Sequence, residues 1–332
     1  MIYPYLKLIV IKSNKKVFKQ MVFIICKHLL LLQSIAIILL SCSNITEKAD
    51  NDWVLQGLKG EVKSIREVSY EANMHFGTIN QGVKKRENPF DKDRELIFDR
   101  KGRIINDVYY EDDGNVFEAY KYTFNEEGKL VEQSFYNSDG NIESIHILKY
   151  DEKGQHIETI FSDSNGQIRM TNKNVYNESG KLIEELWLDS TKNITSMFEL
   201  KYDIRGNIIE KIWYGHDSNL VSKWTYTYDD TGILIEENQF GPNGKRYNIK
   251  TYDQNGNKIE ESSYAPNGSL RSKVSYIYDQ NGNKIEESSY APNGIISAYK
   301  YELDQNGNWY RQIKYENEMP KYIVDRVIEY YD

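Results

Sequence analysis

Cysteine is nearly absent from this 332-residue chain, and both copies, Cys26 and Cys42, fall in its first 42 residues. Everything after Cys42 therefore has no disulfide framework, no cysteine nucleophile and no thiolate metal site. Histidine is scarce as well. His75, His146, His156 and His216 follow Cys42, and no two of them stand at a metal-ligand spacing, so no metal site is expected. Proline numbers six in the whole chain, against 27 tyrosines, a balance that favours strands. Basic charge is also short. Residues 1–41 hold six lysines and no acid, and setting them aside leaves 36 bases against 50 acids. Such a chain repels phosphate backbones unless it carries a concentrated basic patch. Lys84-Lys85-Arg86 is the nearest candidate. It reads as a solvated loop, and nucleic acid is not expected as a partner.

No apolar run is long enough to span a bilayer. The longest, Leu29 to Leu40, is interrupted by Gln33 and Ser34 and as a helix would reach about 18 Å, short of the roughly 30 Å hydrocarbon core. With Lys27 and His28 before it, the stretch Met21–Ser41 reads as a cleaved export signal, and residues 1–20 as an upstream extension. Leu39-Leu40-Ser41-Cys42 resembles a bacterial lipobox. The resemblance implies cleavage before Cys42 and lipidation of its thiol, with several acyl chains where one alone anchors only marginally. An outer-membrane lipoprotein of the cell envelope is expected, tethered to the membrane through residues 42–51.

What is abundant is a repeat. Beyond Phe98 an aromatic residue, an Asp or Asn, two variable positions and a Gly recur. The glycines are Gly102, Gly128, Gly154, Gly180, Gly206, Gly232, Gly256, Gly282 and Gly307. Asp or Asn at the first corner and Gly at the fourth suit a type I turn closed by a left-handed glycine, a hairpin connection that carries a bulge. Twelve residues further on lies a second turn, at Gly114, Gly140, Gly166, Gly244, Gly268 and Gly294. Pro242, Pro266, Pro292 and Pro320 fall there too. Runs of strand length rich in Tyr, Ile, Val and Trp separate the turns. The predicted fold is all-β: about nine tandem hairpins of about 26 residues forming a long coiled antiparallel sheet, open at both ends. Residues 52–97 are expected to cap it with strands and a loop, and Asn308–Tyr331 to cap the far end of the array 98–332. Tyr252–Gly268 and Tyr278–Gly294 are identical. In an open array, deleting residues 252–277 should remove one unit and one interface only.

Counting from each turn, the residue three after the glycine (Ile157, Ile209, Ile235, Ile259 and equivalents) predicts the core face. Glu132, Glu158, Glu184, Glu210, Glu236, Glu260 and Glu286 then fall on the opposite face, which they share with Ile104, Leu130, Leu182, Ile208 and Leu234, so that partial cover is expected on both faces. These carboxylates stand about 10 Å apart, too far for a default acid–base pair, and pairing with Lys201, Lys223 and Lys273 is expected. Asp253-Gln254-Asn255-Gly256-Asn257 has the oxygen ligands of a calcium loop. It lacks the loop glycine, with Lys258 there, and the terminal acid, with Tyr264, and reads as a turn.

Segments such as Tyr226-Thr227-Tyr228-Asp229-Asp230-Thr231-Gly232 and Tyr276-Ile277-Tyr278-Asp279-Gln280-Asn281-Gly282-Asn283 resemble the YD repeats of the Rhs family of bacterial toxin proteins. The resemblance covers roughly residues 98–332. It implies hairpins coiling into a spiral sheet, which in large family members encloses a toxin, and it supplies no catalytic residues. The functional expectation is a non-enzymatic, lipid-anchored scaffold without cofactor or metal, binding a protein or glycan along its sheet. Alternatives are an accessory or immunity factor of an Rhs-type toxin system, or an enzyme acting on glycans through paired glutamates.

Overall fold

The structure, a computed structural model, describes residues 51–85, 92–291 and 296–332. The expected signal at Met21–Ser41, the lipidation site Cys42, Arg86 and the turn at Pro292 and Gly294 lie outside the described residues. Among those described, the only helices are a single turn, α1 (Asp52–Leu55), and a 3-10 turn at His216–Ser218. All else is strand and connection. In chain order the strands are β1 (Val62–His75), β2 (Thr78–Lys84), β3 (Asp93–Phe98), β4 (Ile104–Tyr110), β5 (Val116–Phe124), β6 (Leu130–Asn137) and β7 (Ile142–Tyr150). There follow β8 (His156–Asp163), β9 (Ile168–Tyr176), β10 (Leu182–Asp189), β11 (Ile194–Tyr202), β12 (Ile208–Tyr214), β13 (Leu220–Tyr228) and β14 (Leu234–Phe240). The last seven are β15 (Arg246–Tyr252), β16 (Lys258–Tyr264), β17 (Leu270–Tyr278), β18 (Lys284–Tyr290), β19 (Ile296–Leu303), β20 (Trp309–Glu316) and β21 (Met319–Tyr330).

The turn chemistry is the one the spacing dictates. Asp151 Oδ1 accepts from the backbone N–H of Lys153 (3.0 Å) and Gln155 (2.8 Å), and Gly154 N–H closes the turn on the Asp151 carbonyl at 3.0 Å. Gly154 sits at φ +80°, a left-handed conformation that costs glycine nothing. The opposite turns are less uniform. Lys192 holds a left-handed φ of +70° where its neighbours along the ring use glycine, and Asp217 and Ser218 do the same one hairpin later. With no glycine at these two places, the sequence pattern did not reveal them.

The sheet is not open. β3 to β21 run as a continuous antiparallel meander, and β1 pairs with β21 on one side and with β3 on the other. Among the described residues β2 pairs only with β1, on its upper half, so twenty of the twenty-one strands close an antiparallel barrel. The predicted open coiled sheet with a cap at each end is corrected. The two expected caps are each other's partners: β1 and β21 align from Val62 opposite Tyr330 to Glu71 opposite Tyr322. Pairing of these ends removes two edges that would otherwise present unpaired backbone groups along the whole ribbon. The loop expected within residues 52–97 is in part the β1–β2 hairpin. The deletion expected to cost one unit also changes character, because removing two strands from a closed ring alters its strand number and shear.

The face assignment is corrected too, and a bulge is the reason. Lys201 pairs with Glu210 but Tyr202 with Ile208, so Ile209 is an extra residue in its strand. The same slip recurs beside Gly154, Gly180, Gly232, Gly256 and Gly282. A single extra residue inverts any inside-outside count made from the turn. Ile157, Ile209, Ile235 and Ile259, three residues after their glycines, are 36–40% exposed, while Leu182, two after Gly180, is buried. The main hydrophobic cluster sits instead at the seam. Trp53, Leu58, Val62, Ile65, Leu96 and Phe98 pack together there with Ile328 and Tyr331 against them. α1 is fastened to this end by Asp52, which accepts from Ile104 N–H at 2.6 Å, and by Trp53 Nε1–H donating to the Val62 carbonyl at 2.8 Å.

Candidate functional site

Cross-strand partners share a face, so the register around the ring sorts the side chains into two walls. One contains Ile65, Glu67, Arg94, Asp107, Tyr120, Phe135, His146, Phe161, Asn174, Glu185, Trp187, Phe198, Lys211, Trp213, Glu237, Lys250 and Arg326. It is the concave, inner wall. Trp53 and the seam cluster pack on it, and its side chains reach across two strand spacings. Phe161 on β8 meets Trp187 on β10 with ring centroids 5.6 Å apart, and Lys211 on β12 comes to 3.8 Å from Glu185 on β10.

The inner wall alternates rings with charges that are mostly paired. Arg94 donates twice to Asp107 at 2.8 Å, Arg326 reaches Glu67 at 2.5 Å, and Lys250 reaches Glu237 at 2.8 Å. On this wall His146, Phe161, Asn174, Glu185, Trp187 and Glu237 are each less than a tenth exposed. The outer wall carries the glutamate ladder, with the partners that strand pairing predicted. Glu210 binds Lys201 at 2.7 Å and Lys223 at 3.2 Å, Glu260 binds Lys273 at 2.6 Å, and Glu158 binds Lys149 at 2.8 Å.

The repeated tyrosines tie one hairpin to the one before. The hydroxyls of Tyr150, Tyr176, Tyr202, Tyr228 and Tyr278 donate to the carbonyls of Leu130, His156, Leu182, Ile208 and Lys258, each 20 residues back, at 2.6–2.8 Å. Each acceptor lies at the start of a bulged strand, so the tyrosine fixes the bulge. Burial pushes the Tyr228 phenol up to about 12. At Asp253 the calcium-like oxygens are engaged within the turn, Oδ1 accepting from Asn255 and Asn257 N–H and Oδ2 from Asn257 Nδ2. Lys59 fills the groove between the turns at 279–283 and 304–308, bonded to the Asn281 carbonyl and to Asn283. His156 is half-buried and bonded to Thr159 Oγ1 and Asn174, and desolvation lowers its pKa.

Glu185 was not singled out in the sequence, where it reads as one more strand glutamate beside the ladder residue Glu184. It is 3% exposed, and burial raises its pKa, opposed by Lys211. A carboxyl whose folded pKa is raised contributes stability below its unfolded value, near 4.3, and loses that contribution as pH climbs through the folded value. Glu185→Gln is therefore expected to flatten the decline of melting temperature above about pH 4.3, and to match or exceed the parent at pH 7. Melting curves from pH 4 to 8 check this; a variant less stable than the parent at pH 7 would contradict it.

These features define a class: a closed antiparallel β-barrel made of successive hairpins, with an aromatic and charged inner wall. A family model described as an uncharacterised protein matches residues 95–214 and again 195–327, and the chain belongs to that family. No curated protein matches the chain. Among solved structures, the TcdB2-TccC3-Cdc42 crystal structure is 11% identical, covers 80% of this chain and 17% of that chain, with a TM-score of 0.33. The chain thus spans about a sixth of the length of that relative. A porin-like protein from Bacteroides uniformis is 10% identical, with 82% of this chain and 99% of that chain covered and a TM-score of 0.36.

Proposed function

We propose that this protein is a non-enzymatic binding scaffold of the bacterial outer membrane, anchored through lipid at Cys42, that holds a glycan or protein against the inner wall of its barrel. In this reading about nine YD-like hairpin units, of the kind found in the Rhs family, supply the wall and residues 42–51 the tether. The observation that carries it is the division of labour between the walls. On the outer wall Glu158, Glu210 and Glu260 are neutralised by lysines from neighbouring strands. On the inner wall Trp187, Phe198 and Trp213 stand among Glu185, Lys211 and Asn174, a mixture of flat apolar surface and polar groups typical of ligand-binding faces. The outward, lysine-bound position of the glutamate ladder favours binding over acid–base catalysis by those residues.

Two experiments test this. Cys42→Ala is expected to block processing and move the protein from the membrane fraction to the soluble fraction; unchanged fractionation with normal cleavage would sink the anchor. A pull-down from envelope extracts with the chain beginning at residue 43, together with a glycan array, should return a specific partner that the outer-wall variant Glu210→Gln still binds. A scaffold that retains nothing in either assay contradicts the reading.

A further inference from the structure

One row of the inner wall carries more unsatisfied polarity than a packed wall should. Asn174, Glu185, Phe198 and Trp213 are successive cross-strand partners on β9, β10, β11 and β12. Trp187 lies two residues along β10 from Glu185. In this patch Asn174 Oδ1, Glu185 Oε1, Trp187 Nε1 and Trp213 Nε1 are all buried and without a hydrogen-bond partner. Asn174, Glu185 and Trp187 are 8%, 3% and 5% exposed. Lys211 does not repair the deficit: its ammonium lies over the Phe198 ring and stops 3.8 Å from Glu185 Oε1, beyond hydrogen-bond length. Leaving a buried donor or acceptor unpaired is costly, and four in one patch of a natural wall call for an explanation, by ordered water or by a ligand.

The composition of the patch specifies what it fits. Two of the orphaned atoms are donors, the indole N–H groups, and two are acceptors, the amide and carboxylate oxygens. The carboxylate and the Lys211 ammonium balance in charge, which favours a neutral ligand. Phe198 and Trp213 lie parallel, 14° between planes with centroids 5.7 Å apart, and present flat apolar surface beside the polar atoms. A ligand whose groups both donate and accept, on a ring with apolar faces, answers all three features. We propose that the row Asn174–Glu185–Phe198–Trp213, with Trp187 and Lys211, is a subsite for a neutral pyranose unit of an oligosaccharide. The inference rests on the scaffold reading above and names its site and ligand class. Sugar hydroxyls enter between Glu185 and Lys211, widening a gap that is already too long for a direct bond, and take up the two indole N–H groups.

The test uses the full chain in a polyoxyethylene detergent, which has no sugar headgroup. It is titrated with maltohexaose, cellohexaose, laminarihexaose and chitohexaose, read by tryptophan fluorescence and calorimetry. At least one should bind, and Trp187→Phe and Trp213→Phe, which keep an aromatic ring but delete the N–H with half of the indole, should each weaken it about tenfold. Without sugar both variants should remain folded, with Trp187→Phe melting somewhat below the parent because the smaller ring leaves part of a buried volume empty. Glu210→Gln on the outer wall should bind as the parent does. Binding undiminished in both tryptophan variants overturns the subsite. Failure of all four sugars to bind overturns the sugar assignment. In each case a specific partner recovered in the envelope pull-down leaves the scaffold reading standing, so the two fail separately.

Discussion

Removal of residues 319–332 is expected to abolish the soluble fold, although it takes away a single strand. β21 makes two interfaces, one with β20 and one with β1, so its loss reopens the ring. Ile323, 0% exposed, goes with it, as do the Arg326–Glu67 and Arg311–Asp325 ion pairs at 2.5 and 2.7 Å. So does the hydrogen bond from Tyr331 Oη to the Phe98 carbonyl at 2.6 Å. The remaining chain would expose two long strand edges, each a template for pairing with another molecule. The expected result is aggregation and the absence of a cooperative melt. An open array would behave otherwise, losing one interface and a few degrees. Solubility, differential scanning calorimetry and limited proteolysis of the truncated chain separate the outcomes.

Phe98→Ala should be the most damaging single substitution among the aromatic positions that begin the repeats. Phe98 is 0% exposed and packs on Trp53 with ring centroids 6.5 Å apart. It lies in the cluster that joins α1, β1 and β3 where the ring closes. Truncating a buried phenylalanine costs about 3–5 kcal/mol. Tyr228→Phe at the equivalent position in a mid-ring hairpin removes one hydroxyl bond, worth about 1 kcal/mol. Chemical denaturation of the two variants should show this inequality. Comparable losses would mean that the seam is no more strongly packed than the rest of the wall.

The contrast between Phe98 and Tyr228 shows what was legible in the sequence. Turn geometry is local: an Asp that caps its own turn and a Gly with positive φ need only five residues, so the hairpins and their order could be read from spacing. The ladder pairs Lys201–Glu210 and Lys273–Glu260 follow from adjacent strands and were equally accessible. Closure was not, because pairing of β1 with β21 joins residues some 260 positions apart that carry no repeat signature. The faces were misread for a subtler reason. Ile209 has a core residue's chemistry, and only the bulge that leaves it unpaired places it outside. The inner-wall patch was hidden by the same error, since Glu185, Phe198 and Trp213 come together only once register is known. The apolar residues two positions after the glycines, Leu182 and Ile208 among them, signal the ambiguity in the sequence, and the bulge implied by the turn type resolves it.

Closure itself is tested most directly by a cross-link across the seam. Arg66 and Val327 are opposite each other on β1 and β21, and Val327 is 63% exposed on the outer wall, where an oxidant can reach. The chain beginning at residue 43 has no cysteine of its own. In it, the pair Arg66→Cys and Val327→Cys should oxidise rapidly to an intramolecular disulfide, since facing strand residues lie within the 4.4–6.8 Å that such a bond spans. Arg66→Cys with Ile277→Cys, on the distant β17, should not. In an open ribbon the first pair would stand roughly 90 Å apart along the sheet. Free thiols or only intermolecular dimers for Arg66→Cys/Val327→Cys would contradict the closed barrel.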